Sequence, residues 1–120
     1  MKMGHVTIRT DKFSEETAFY QEIAGLKIVR DLRERGSEIV FLADHENETR
    51  IEVISVKQAV NSGNEWISIG FHTEDAGKLR DELRMKGLTV SEITSPAPSV
   101  RFFFVKDPAG VNVQFVEERN

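Results

Sequence analysis

The sequence predicts an α+β domain made of two copies of a βαβββ module. Three observations carry this. Apolar residues alternate at period two in several short stretches, the mark of strands with one packed face. Two stretches show helical spacing, and each ends in glycine. A shift of 62 or 63 residues lays the second half on the first, so that "VTIRT" falls on "IGFHT", "GLKI" on "GLTV", "IVFLA" on "RFFFV" and "IEV" on "VQF". With 120 residues the chain is expected to form one domain, with module one at 1–57, a polar linker "QAVNSGNE" at 58–65 and module two at 66–120.

In module one, "HVTIRT" is a strand with His5, Thr7 and Arg9 on one face and Val6 and Ile8 on the other. "FSEETAFYQEIAG" follows as a helix, with Ser14 at the N-cap, Glu15 and Glu16 in the first turn and Gly25 at the end. Phe19 and Ile23, four apart, share its buried side. "LKIVRDLRER", "SEIVFLAD" and "RIEVISVK" are the three strands, separated by "RGS" and "HENET". In module two, "WISIGFHT" is the first strand. "EDAGKLRDELRMKG" is a helix capped by Thr73, with Ala76, Leu79 and Leu83 as its apolar stripe and Gly87 as its stop. "LTVSEIT", "VRFFFV" and "VNVQFVEE" are strands, with "SPAPS" and "KDPAG" as turns.

Composition narrows the function classes. Hydrophobic residues make up 39% and charged residues 30%, an ordinary globular balance. The net charge is −4 and the basic residues are interleaved with acids, so a nucleic-acid partner is not expected. There are no cysteines, which excludes disulfides, thiolate metal sites and thiol catalysis. The opening "MKMGHVTIRT" has no apolar stretch of leader length, and no run approaches a membrane span; a cytoplasmic location without a membrane partner is the expectation.

The faces left open are polar for a packed core. They carry His5, Thr7 and Arg9 on the first strand, Glu52 and Ile54 in "RIEVISV", Ser68, Gly70 and His72 on the matching strand, and Asn112, Gln114 and Val116 in "VNVQFV". Such a face suits a cleft that meets water or a ligand. "DPAG" is a turn and not a phosphate loop, because no helix follows it. His45 sits in a charged hairpin tip, and Trp66 and the Phe102–Phe104 run are read as packing or subunit contact.

The helix opening "KFSEETAFYQEIAGLKI" and the closing "FFFVKDPAGVNVQFVE" resemble the vicinal-oxygen-chelate superfamily, which includes glyoxalase I, bleomycin- and fosfomycin-resistance proteins and extradiol dioxygenases. The likeness covers essentially the whole chain. It implies that each module curls its sheet into half of an open, barrel-like cleft, and that the protein handles a small molecule, commonly as a homodimer. It also implies a divalent metal (zinc, nickel, manganese or iron) at the first and last strands of each module. Carried over residue by residue, the positions are His5 and Glu52 in module one and Ser68 and Gln114 in module two. The glyoxalase-like pattern has His and Glu where Ser68 and Gln114 stand, and Val111 replaces the usual Asn after the turn glycine. The implied metal set is therefore His5, Glu52 and Gln114, with Thr7, Arg9, Ser68, Gly70, His72 and Asn112 lining the cleft.

A base that takes a proton from carbon beside a carbonyl needs a titratable group. Gln114 has none, so Glu52 is the expected catalytic residue. Three readings follow: a metal-assisted lyase or isomerase of glyoxalase I type, a metal-free binding or sequestration protein, and a ferredoxin-like duplicated domain with a structural role. The bland alternative for Glu52 is an ion pair with Arg9 or Arg101. Gln114 has the alternative of an ordinary hydrogen-bonding strand residue.

Overall fold

The computed structural model describes residues 1–58 and 67–119. Trp66 and the expected linker beyond Gln58 lie outside the described residues. The chain divides into two compact units, Met1–Ser62 and Gly63–Asn120.

In the first unit, strand β1 (His5–Thr10) is followed by helix α1 (Phe13–Ala18), a π-helical turn (Phe19–Ile23) and strands β2 (Lys27–Asp31), β3 (Ile39–Ala43) and β4 (Arg50–Ser55). The sheet order is β1-β4-β3-β2. β1 runs parallel to β4, and the other pairings are antiparallel. Alternation sends Ile8, Val40, Leu42, Ile51 and Val53 to the buried face, where Phe13, Phe19 and Tyr20 also lie. Each fully buried aliphatic side chain there contributes about 1.5–3 kcal/mol relative to exposure. Phe19 and Tyr20 meet edge-on at 5.1 Å.

The helix starts two residues earlier than its sequence signals suggest. Lys12, not Ser14, is the N-cap, and it makes no side-chain cap bond. Thr10 Oγ accepts the Lys12 N–H instead at 2.9 Å, and burial of Phe13 commits that residue to the first turn. The strand expected through Arg35 stops at Asp31. The carboxylate of Asp31 accepts from both the backbone and the guanidinium of Arg33, which curls Arg33–Arg35 into a 3-10 turn closed by left-handed Gly36.

In the second unit, β5 (Ser68–His72), α2 (Ala76–Met85), β6 (Thr94–Ala97), β7 (Val100–Lys106) and β8 (Asn112–Glu118) repeat the order. The sheet order is β5-β8-β7-β6, with β5 parallel to β8. Both units thus carry the expected βαβββ order around an open sheet. Phe103, Val105, Val113 and Phe115 form the core with Ala76 and Leu83. Asp75, not Thr73, caps α2, its carboxylate accepting from the Lys78 N–H at 3.0 Å. The strand expected at 88–94 is reduced to a bridge between Val90 and Val105, and the paired residues lie further on, at Thr94–Ala97. Ser91 competes for that stretch: its hydroxyl accepts from the Phe104 N–H at 2.7 Å and its N–H donates back to the Phe104 carbonyl. Pro96 is tolerated in β6 because that strand is an edge. The "KDPAG" turn is held by Asp107, whose Oδ1 accepts the N–H groups of Ala109 and Val111. No helix of the described residues is long and apolar enough to cross a membrane.

Glu117 lies on the buried parity of β8 with Val113 and Phe115 and is 1% exposed. Its Oε1 accepts from the Ala76 N–H at the start of α2 (2.9 Å) and from Arg101 Nη2 (2.8 Å), and its Oε2 accepts from Arg119. Arg101 therefore pairs with Glu117, and with Asp75 at 3.5 Å, and not with Glu52. The Arg101 hydrogen bond, then the Ala76 amide, hold the Glu117 carboxyl down at about 2, against an ordinary value of 4.5. In the unfolded chain Glu117 takes up a proton as pH falls past 4.5, while the folded chain resists until about 2. Its stabilisation is complete above the higher value and is lost across that window as pH falls. Acid titration of the melting temperature is expected to fall more steeply for wild type than for Glu117→Gln across this range. At neutral pH the variant should melt several degrees lower.

Candidate functional site

The open face of the first sheet holds one continuous transverse row. Thr7 on β1 pairs in register with Glu52 on β4, Glu52 with Phe41 on β3, and Phe41 with Arg30 on β2. Parity explains the row: the residues on either side of Glu52 and Phe41 are buried, so these two face away from the core. Thr7 Oγ donates to Glu52 Oε1 at 2.6 Å. His5, two residues before Thr7, brings Nε2 within 3.7 Å of the same oxygen. The His5 ring stands edge-on to Phe41 at 5.9 Å, and the Arg30 guanidinium lies over the Phe41 ring at 5.8 Å. Glu52 keeps 15% of its side chain exposed and His5 keeps 51%. The carboxylate is thus oriented by a hydroxyl and is still reachable.

Of the residues singled out in the first unit, His5, Thr7 and Glu52 come together. Arg9 is exposed one position further along, opposite Ile54, and forms no ion pair with Glu52. Alternation could not have found Arg30, because it shares parity with Ile28. A register shift between Ile28 and Arg30 turns it to Phe41.

The second unit repeats the row with different chemistry. Gly70 pairs with Gln114 and Gln114 with Phe104, and Phe104 meets Ser91 through the two bonds described above. A Cβ on Gly70 would stand 3.4 Å from Gln114 Oε1. Ser68 lies opposite Asn112 and His72 opposite Val116, and both Ser68 and His72 are exposed. His72 Nδ1 is 4.0 Å from Glu118 Oε1. Asn112 Oδ1 accepts from Lys106 Nζ at 3.1 Å. Asn112 also lines a pocket of about 620 Å³ with Leu88, Val90, Phe104 and Val105. Phe103 is core, whereas Phe102 and Phe104 pair edge-on at 5.8 Å on the opposite face.

The donor chemistry of the first unit can be tested against a divalent ion. Two ligands each about 2.1 Å from one ion lie no more than about 4.2 Å apart. The His5–Glu52 separation of 3.7 Å falls inside that limit, and an imidazole with a carboxylate suits zinc, nickel, manganese or iron. The Thr7 hydroxyl supports the carboxylate as outer-shell partners of metal ligands do. Among the described residues no group of three His, Asp or Glu side chains is placed to hold an ion. The fit is to an ion with two strong protein ligands, its other positions open to water or to weaker donors.

A family model for the Glyoxalase/Bleomycin resistance protein/Dioxygenase superfamily matches residues 2–115. A search of curated protein sequences finds no match. Among solved structures, the trypanothione-dependent glyoxalase I of Leishmania major is 22% identical, with 98% of this chain and 87% of that chain covered and a TM-score of 0.80. The fosfomycin resistance protein FosX of Listeria monocytogenes is 13% identical over 98% of this chain and 93% of that one, with a TM-score of 0.78. A glyoxalase family protein of Enterococcus faecalis is 17% identical over 97% of each chain, at 0.70. At these identities the structural likeness speaks for the fold.

The two rows respond differently to substitution. Thr7→Val removes the hydroxyl that supports Glu52 and is expected to cost about 1 kcal/mol in urea denaturation. Gly70→Ala adds a methyl group at ordinary contact distance and removes glycine's entropic cost, so it should leave stability unchanged or raise it by up to about 1 kcal/mol.

Proposed function

From the premise that this chain belongs to the Glyoxalase/Bleomycin resistance protein/Dioxygenase superfamily, we propose that it acts on a small carbonyl compound as a metal-assisted lyase or isomerase, with Glu52 as the proton acceptor. The observation that carries the reading is the single oxygen Glu52 Oε1, 2.6 Å from the Thr7 hydroxyl and 3.7 Å from His5 Nε2. His5 and Glu52 would hold a divalent ion, which would polarise the carbonyl oxygen and make the neighbouring carbon more acidic. Thr7 fixes the orientation of the carboxylate. With Oε1 engaged, Oε2 would take the proton from a substrate C–H. Phe41 supplies an apolar floor beside it. Gln114, which the family resemblance implies as a third, neutral donor, has no titratable proton and is not the proton acceptor of this reading. The same reading takes the protein as a cytoplasmic homodimer.

A second reading, metal-free binding or sequestration, is favoured by one observation: the 620 Å³ pocket of the second unit is walled largely by Leu88, Val90, Phe104 and Val105. It predicts thermal stabilisation by an aromatic ligand in the presence of chelator.

Metal analysis of protein purified without chelator separates the two. The enzyme reading expects a divalent metal near one per chain, lost in Glu52→Gln. It also expects nickel or zinc to raise the melting temperature of stripped wild type by several degrees, since an ion at one hundred times its Kd adds about 2.7 kcal/mol. Protein that carries no metal and is not stabilised by added nickel or zinc would overturn it.

A further inference from the structure

The first unit has a pocket that shares His5 with the metal pair but extends away from Glu52 over residues the reading above leaves unused. It encloses about 400 Å³ and is lined by Lys2, His5, Arg30, Phe41 and Arg50, together with the 44–49 turn that brings Glu46 and Glu48. Lys2 Nζ donates to the Asn47 carbonyl, and Arg50 Nη2 donates to the Glu46 carbonyl at 3.1 Å. Those two cations are tied to backbone. Arg30 instead lies over the Phe41 ring, and among the described residues it has no carboxylate partner.

The position of Arg30 depends on an irregularity in β2. Ile28 pairs with Leu42, but Arg30 pairs with Phe41, so Val29 is an extra residue. Without that bulge Arg30 would face Val40 on the core side. With it, a guanidinium is delivered to the row that ends at Glu52 and Thr7. Bulges that re-aim a side chain occur next to active sites more often than elsewhere. A guanidinium over an aromatic face with no carboxylate partner keeps N–H donors that match an oxyanion in two-point fashion.

We propose that Arg30, held over Phe41, is the specificity-determining residue that holds an oxyanion of the substrate, a carboxylate or a phosphate. The proposal rests on the placement of the reacting carbon at Glu52. Adjacent strands are about 4.8 Å apart, and Phe41 is one strand from Glu52. An oxyanion bound above Phe41 therefore sits about three or four covalent bonds from the carbon whose proton Glu52 accepts. The substrate class is a small carbonyl compound bearing its anionic group at that spacing. A neutral ketone leaves Arg30 without a partner, and a compound with its charge much further away overshoots it.

Calorimetric titration of chelator-treated protein tests this independently of any metal. The probes are 4-oxopentanoate, whose carboxylate carbon lies four bonds from the methyl carbon beside its carbonyl, dihydroxyacetone phosphate, whose phosphorus lies four bonds from its hydroxymethyl carbon, and the neutral 2-pentanone. At least one anionic probe is expected to bind ten-fold or more tightly than 2-pentanone, and the tighter of the two names the oxyanion. Arg30→Gln should abolish that preference. Arg30→Lys should keep only part of it, because an ammonium lacks the two-point edge. Arg35→Gln, on the exposed 3-10 turn, should keep all of it. Anionic probes that bind no better than 2-pentanone, or a preference that survives Arg30→Gln, would overturn the assignment. An absence of metal with the anion preference intact would count against the enzyme reading alone.

Discussion

The parallel pairing of β1 with β4 is the constraint on which the candidate site depends. It sets Thr7 opposite Glu52 and, one residue on, Ile8 opposite Val53. The second pair is buried and the first is open. A slip of one residue would exchange the faces, sending the Glu52 carboxylate toward the core and Val53 to water. The hydrophobic pairing thus enforces the polar one. Because the two strands are the first and last of their unit, local chain stiffness cannot supply this register. It comes from the apolar face of the whole sheet, through Val40 and Leu42 on β3.

The same parity rule gives two glutamates opposite fates. Glu52 falls on the open side of β4 and meets a single hydroxyl and an imidazole. Glu117 falls on the buried side of β8 and accepts from two guanidinium groups and a helix-start amide. Three donors on one carboxylate stabilise its charged form so well that it is a poor proton acceptor near neutral pH. Glu117 is therefore an anchor between α2 and β8, and its charge belongs to stability. Glu52 has fewer donors and keeps an exposed edge.

Much of this was legible in the sequence. Alternation and the internal shift identified the βαβββ order. Alternation put His5, Thr7 and Glu52 on one open face and Ser68, Gly70 and Gln114 on another. The shift paired His5 with Ser68 and Glu52 with Gln114, whereas the register sets Gly70, not Ser68, opposite Gln114. Helix starts were less legible, because Ser14 and Thr73 are good caps by type. Burial of Phe13 and the Asp75–Lys78 bond moved the starts elsewhere. Glu117 carried a readable signal, a charge on the core parity of an apolar strand, which called for partners that only the fold could name. Arg30 carried none. A bulge changes parity without changing composition, so strict alternation assigns that residue to the wrong side.

The two rows also show what duplication leaves free to change. Phe41 and Phe104 occupy matching places and both flank the last strand of their unit, at Glu52 and at Gln114. An aromatic ring there is useful to either row, as a floor that excludes water. Around it the chemistry has separated: Thr, Glu and Arg in the first unit, and Gly, Gln and Ser in the second. A threonine hydroxyl steadies a carboxylate, whereas glycine lets the Gln114 amide lie close to the backbone of β5. Replacing Glu52 with an amide would leave the Thr7 hydroxyl without its charged acceptor. Replacing Gln114 with a carboxylate would place a charge beside Gly70, which has no side chain to donate to it. Each row is matched internally to its own central residue, a carboxylate in the first unit and an amide in the second.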